Sequence, residues 1–222
     1  MEINPAILTA DPHLATQQIN LVKTESDFEV LQIDVIDGFF ADYLTIRPAD
    51  LLGLDLTGLE LDIQLMTEEP MDYVWEMIEQ AKELPIRAVY GQIERMSDQF
   101  QFLEEVKKQN WQAGLALDLF TPVESLDDDA WQWLDTVLLM SVEAGAQGQR
   151  FNHLVIKKIK ALQTLAQHNN CPIKIALDGG IKAKHLSTLA ELGVDRVAIG
   201  SALFAAADFT RAATTLKEAC HG

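Results

Sequence analysis

Eight parallel strands closed into a (β/α)8 barrel are what the sequence predicts, and three observations carry that expectation. Apolar, strand-like runs alternate with amphipathic, helix-like segments along all 222 residues, eight times over. No Pro-, Gly- or Ser-rich linker and no low-complexity tract interrupts them, so one domain covering residues 1–222 is expected. Several runs end in Asp or Gly where a turn begins, the edge at which parallel α/β folds bind their ligands. A doubly wound open sheet would give a similar count of elements; the barrel is the favoured reading.

Taken in order, the first strand covers about residues 3–10, and Asp11-Pro12 then starts a helix to about Lys23 with Leu14, Ile19 and Leu21 among its apolar positions. The second strand, 28–35, delivers Asp34 and Asp37 to its C-terminal end. In the third, 59–66, Leu61, Ile63 and Leu65 mark one face and Asp62, Gln64 and Met66 the other. Pro70 opens a helix carrying Val74, Met77, Ile78 and Ala81. A fourth strand at 87–90 leads into Gly91-Gln92, and a helix near 97–109 follows. The fifth strand, 113–117, ends in Asp118, after which Asp127-Asp128-Asp129 caps a short helix with Trp131 and Leu134. Thr136 to Met140 is the sixth strand. A strong amphipathic helix over 152–168 turns Val155, Ile159, Leu162 and Ala166 to the core and Lys157, Lys158 and Lys160 outward. The seventh strand, 173–177, reaches Asp178-Gly179-Gly180. A helix over 184–192 stops at Gly193, and the eighth strand, 196–199, leads into Gly200-Ser201 and a last helix near 208–219.

The totals narrow the partners. Lys and Arg number 17 against 34 Asp and Glu, a formal charge of −17 that argues against nucleic acid or an anionic membrane as partner. A phosphorylated small molecule remains compatible, because backbone N–H groups bind phosphate without Lys or Arg. The two cysteines, Cys171 and Cys220, lie far apart and in no metal-ligand spacing, so a reducing compartment is expected. The N-terminus reaches an apolar strand at once, without a signal pattern, and no apolar run nears the about 18 residues of a membrane span. A cytoplasmic protein with no membrane partner is therefore expected.

The strand ends are specific enough to carry a resemblance. Asn4-Pro5-Ala6-Ile7-Leu8, Asp34-Val35-Ile36-Asp37-Gly38, Asp62-Ile63-Gln64-Leu65-Met66, Gly114-Leu115-Ala116-Leu117, Met140-Ser141-Val142, Gly148-Gln149-Arg150-Phe151, Leu177-Asp178-Gly179-Gly180-Ile181 and Gly200-Ser201-Ala202-Leu203-Phe204 occur in this order over nearly the whole chain. Together they resemble the ribulose-phosphate 3-epimerase family and its pentulose- and hexulose-phosphate epimerase relatives. The resemblance implies a TIM barrel of the ribulose-phosphate-binding type. It also implies a phosphorylated ketose as substrate, a homo-oligomer, and two-base epimerisation beside a ketone through a metal-stabilised cis-enediolate.

Carried over position by position, the acid/base pair is Asp34 and Asp178. The family's two metal-binding histidines fall on Gln32 and Gln64, a further site histidine falls on Gln92, and a site serine falls on Ala6. Met66 and Met140 match the methionine-lined part of the site, and Ile36 stands where methionine is usual. The loop usually reading Pro-Gly-Phe-Gly-Gly-Gln is Ala144-Gly145-Ala146-Gln147-Gly148-Gln149 here. The phosphate is expected among the backbone N–H groups of Gly145, Gly148, Gly179, Gly180, Gly200 and Ser201, where glycine permits close approach.

An amide oxygen is a hard, weak donor beside imidazole, so a zinc, cobalt or iron site is expected to be lost and no cofactor is predicted. The oxygens of Asp34, Asp178, Gln32 and Gln64 would suit a harder cation such as Mg²⁺ or Ca²⁺. Without metal, Gln32, Gln64 and Gln92 can donate N–H bonds toward a developing oxyanion, and the two carboxylates repel, so one is expected to hold a proton at neutral pH. The plainer readings are turn formation for Asp37 and Asp118, space filling for the glutamines, and barrel core for Met66 and Met140. The leading expectation is an epimerase of the ribulose-phosphate 3-epimerase type with an atypical, metal-poor site. Its competitors are a catalytically silent sugar-phosphate-binding relative, as sensor or assembly partner, and another phosphate-binding barrel isomerase or decarboxylase.

Overall fold

The computed structural model describes residues 1–145 and 148–221. Its strands are β1 (Glu2–Ile7), β2 (Val30–Ile36), β3 (Glu60–Met66), β4 (Ile86–Gln92), β5 (Gln112–Leu117), β6 (Thr136–Met140), β7 (Lys174–Asp178) and β8 (Arg196–Ile199). Each pairs in parallel with the next and β8 pairs back onto β1, so the sheet closes and the open-sheet alternative falls away. The helices outside it are α1 (Pro12–Glu25), α2 (Pro70–Gln80), α3 (Gln99–Lys108), α4 (Leu154–His168), α5 (Ala183–Glu191), α6 (Ser201–Phe204) and α7 (Phe209–His221). Their starts are chemically marked. The Asp11 carboxylate accepts the His13 N–H at 2.9 Å ahead of Pro12, and the Asp98 carboxylate accepts the Gln101 N–H at 2.8 Å. At the other end of a helix, Gly193 stands at φ +76°, as the sequence predicts for a left-handed cap after α5.

Two crossovers have no α-helix among the described residues. Only the 3-10 turn Pro48–Leu51 follows β2, and only the turns Val123–Ser125 and Trp131–Trp133 follow β5. The short helix expected at Trp131 and Leu134 thus shrinks to one turn, closed by the Leu134 N–H on the Trp131 carbonyl at 3.3 Å. The chain must enter β6 at Thr136, which leaves no room for a second turn. No described helix is long and apolar enough to cross a membrane.

Side chains alternate along every strand, and that alternation builds two interiors. Odd-numbered positions such as Ile33, Ile63, Val89, Leu115, Leu139, Leu177 and Val197 are buried outside the sheet against Val22, Met77, Phe102, Ile159 and Leu186 of the helices. Even-numbered positions face the barrel axis, where Ala88, Tyr90, Ala116, Leu138, Met140 and Ala176 form a separate, smaller cluster. At the N-terminal end the axis is plugged by a charged network. Asp62, fully buried, accepts Arg87 Nε at 2.8 Å, Tyr90 OH at 3.0 Å and Asn4 Nδ2 at 3.0 Å, and Arg196 donates to the Tyr90 hydroxyl at 2.9 Å. Burial and the Asp62 charge push the Tyr90 phenol far above its ordinary pKa, so it stays a neutral link between two ions. The closed lower end leaves the C-terminal end of the barrel as the open one.

Candidate active site

A cavity opens at the C-terminal end of the strands, where a barrel of this kind takes its ligands. Asp34 at the end of β2 and Asp178 at the end of β7 both line it. They share it with Ala6, Leu8, Met66, Met140, Val142, Gly145, Gly148, Gln149, Gly179, Gly180, Ile181, Ala198, Gly200 and Ser201. Residues 146 and 147 lie outside the described residues, and with them the two changed positions of the loop after β6. No Lys or Arg is among the lining residues, so an anion here depends on backbone N–H groups.

The three glutamines are placed differently from the other expected contacts. Gln32, Gln64 and Gln92 are buried inside the barrel and do not line the cavity. Gln32 is the hub. Its Nε2 donates toward Asp34 Oδ1 at 2.8 Å, Gln64 Oε1 at 2.9 Å and Asp178 Oδ2 at 3.2 Å, joining β2, β3 and β7. Gln64 turns its own amide nitrogen to Met140 Sδ at 3.1 Å, a weak acceptor at the floor of the cavity. Both amide atoms of Gln92 are buried without a hydrogen-bond partner among the described residues, a costly arrangement unless water or a ligand group completes it.

The carboxylates are perturbed in the direction that two buried neighbours require. Burial raises the Asp34 pKa well above the ordinary value, the Asp178 charge raises it further, and the Gln32 bond opposes both. Burial likewise raises Asp178, to about 6, against the lowering effect of the Gly179 N–H and Gln32. The pair therefore holds a proton close to neutrality, one member an acid and the other a base. Backbone bonds aim both. Thr45 Oγ1 donates to the Asp34 carbonyl at 2.8 Å and accepts the Ile36 N–H at 2.8 Å, while the Ser141 N–H donates to the Asp178 carbonyl at 2.7 Å. Sequence reasoning assigned no role to Thr45 or Ser141; Ser141 sits within a motif, but Thr45 lies in the irregular loop after β2 and has no sequence signal.

Asp37 and Asp118 are loop builders, as the plainer reading has it. Asp37 accepts the N–H groups of Phe39, Phe40 and Glu68, and Asp118 those of Leu119 and Ala144. The glycines of the β7 turn are required by space. Gly180 has φ +61°, and an added Cβ would stand 2.5 Å from the Phe151 nitrogen; at Gly179 it would strike Val142 Cγ2 at 2.5 Å. Gly180→Ala is expected to cost about 1–3 kcal/mol through left-handed strain and displacement of the 149–151 backbone. Urea unfolding measures the cost, and an unchanged midpoint would show that the turn relaxes freely.

The model of the "Ribulose-phosphate 3 epimerase family" matches residues 2–204. The chain belongs to this family. It is 30% identical to the ribulose-phosphate 3-epimerase of Bacillus subtilis (strain 168) over 98% of each chain. It is 28% identical to the chloroplastic ribulose-5-phosphate-3-epimerase of Arabidopsis thaliana over 97% of this chain and 75% of that one. A solved 3-hexulose-6-phosphate synthase superposes with TM-score 0.70 over 99% of each chain at 14% identity, a likeness of fold alone.

The ribulose-phosphate 3-epimerase family resemblance also implies a histidine-held divalent cation, and this donor set does not fit one. Among the described residues no group of three or more His, Cys, Asp or Glu could hold a metal. The positions expected to supply imidazole supply amides, and the inward atom of Gln32 is a nitrogen already donating to both carboxylates.

Proposed function

We propose that this family member epimerises a phosphorylated ketose at the carbon beside its carbonyl, with Asp34 and Asp178 as a two-base pair. The observation that carries the reading is the pair itself: two buried carboxyls, from β2 and β7, facing one cavity, bridged by the Gln32 amide and both pushed up in pKa by burial. The ionised carboxylate takes the C–H proton. The C–H electron pair becomes the C=C bond of an enediolate, and the carbonyl π electrons move onto oxygen. The protonated carboxyl then returns its proton to the opposite face as those electrons move back, which inverts the carbon and leaves the two acids with exchanged protonation states. Gly145, Gly148, Gly179, Gly180 and Gly200, with Ser201, also line the cavity and leave backbone N–H groups open to a phosphate. Met66 and Met140 supply the apolar side. A cytoplasmic homo-oligomer belongs to the same reading, and the exposed Phe39 and Leu44 beside the cavity's β2 loop offer an apolar contact surface.

A second reading, a barrel that binds a sugar phosphate without turning it over, is favoured by one observation. An amide stands where a dication would stabilise the enediolate, and neutral donors do this less well. Incubation with pentulose and hexulose phosphates in D₂O separates the two. Deuterium entering at the carbon beside the carbonyl is the expected result. Binding of the same compounds without exchange would sink the enzyme reading in favour of the silent one.

A further inference from the structure

Three side-chain oxygens from three different strands converge on a single point of the barrel axis. Asp34 Oδ1, Gln64 Oε1 and Asp178 Oδ2 stand 2.8, 2.9 and 3.2 Å from it. Two carboxylates and an amide oxygen aimed at one centre form the donor set of a hard-cation site. The centre here is an atom of the chain, Gln32 Nε2. Charge dictates that orientation, because the flipped amide would press its oxygen against three others.

We propose that Gln32 takes the place of the family's cation: its amide nitrogen is a built-in, uncharged donor bridging Asp34 and Asp178, and the native site excludes a divalent metal. The inference rests on the reading of this cavity as the epimerase-type site. An amide nitrogen has its lone pair delocalised and offers a metal nothing. Any cation at this point must expel it, and Gln32 is only 2% exposed, with Asp62 of the charged plug as its register partner on β3. Expulsion would leave the amide without its three partners inside the barrel.

The same geometry gives Gln32 a positioning role. The NH₂ group has two hydrogens for three acceptors, and the two shorter contacts, to Asp34 and Gln64, take them; the longer one, to Asp178, shares. When a proton moves from Asp178 to Asp34, a small tilt of the amide lets the same nitrogen follow the charge. A dipole already held between the two carboxylates serves either one with little reorganisation as the charge moves.

The test is direct metal binding by the metal-stripped full chain, using Co²⁺, Zn²⁺ and Mg²⁺ in equilibrium dialysis and the visible absorption of Co²⁺. The native chain is expected to retain none at stoichiometry. The Gln32→His/Gln64→His variant removes the occupant and supplies two imidazoles, and it is expected to take one Co²⁺ per chain. Its affinity should rise by more than about a hundredfold, the upper end of what outer-shell partners alone are worth. That binding should be lost again on adding Asp34→Asn. Where the double variant does not fold, Gln32→His alone is read in the same way, against circular dichroism of the native chain. Stoichiometric, Asp34-dependent Co²⁺ binding by the native chain overturns the inference, and so does a folded double variant that binds none. Because the readout is metal and not turnover, a chain inactive on every ketose phosphate would defeat the epimerase reading and leave this result to stand or fall separately.

Discussion

Asparagine at position 34 or at position 178 is expected to lower net epimerisation by roughly 10²–10⁴-fold, the usual worth of a positioned acid or base. The substitution keeps shape and one oxygen, so the Gln32 contact can persist and the barrel has no new cavity to fill. The two variants should nevertheless differ in a way that a structural defect would not produce. A two-base pair works on opposite faces of the substrate carbon. Asp34→Asn should therefore keep deuterium exchange with the epimer whose C–H faces Asp178 and lose it with the other, and Asp178→Asn should show the reverse. Exchange of both epimers by either variant would point to a single base, and equal loss of substrate binding would point to a packing defect.

Stability should fall as pH rises through the window in which the folded chain still holds protons that the unfolded chain has released. For Asp178 the ordinary value is 3.8 and the folded value is about 6, so folding favours its protonated form. The contribution is complete below about pH 4 and is lost as pH climbs through 6. Asp34 is raised by burial and by the Asp178 charge, which extends the loss upward in pH. The combined effect is on the order of a few kcal/mol, since each unit of pKa difference corresponds to about 1.4 kcal/mol. Asp34→Asn removes both its own charge and the repulsion on Asp178. That variant should be more stable than the native chain near pH 8, by on the order of a few kcal/mol, and nearly equal to it near pH 4. Urea unfolding of both proteins across this range is the measurement. Parallel stability curves would show that the pair carries no proton-linked strain.

The gain in stability and the loss of activity are two faces of one arrangement. Burial sets the acids near neutrality, where one is charged and the other is not, and the same burial makes the charged form costly to fold. The Asp62 network at the other end of the barrel shows the opposite solution. There a buried carboxylate is surrounded by Arg87, Arg196, Tyr90 and Asn4, and its charge is fully partnered. One end of the axis is thereby a permanent ion network and the other a titrating pair.

The strand order, the closing acids and the altered metal positions were legible in the residues. Period-two alternation marks Leu61, Ile63 and Leu65 against Asp62, Gln64 and Met66, and those two sets do face opposite sides of β3. Asp34 and Asp178 were legible because each ends an apolar strand at a turn, and the glutamines because they stand at places a family pattern reserves for histidine. Local spacing carries such information, since side-chain direction within one strand depends only on position along it.

Where the atoms of those side chains meet is a property of the closed barrel. Gln32 and Asp178 are 146 residues apart, and their 3.2 Å contact depends on closure of the barrel and on the register of its strands. The residue pattern is thus enough to name the groups that face the barrel axis near its open end, two acids that line the cavity and three amides buried beneath it. The closed sheet alone decided that Gln64 turns to Met140, that Gln92 is left without a partner, and that the nitrogen of Gln32 stands between the two acids. Amide orientation has no trace in a one-dimensional pattern, because it answers to the charges that folding brings around it.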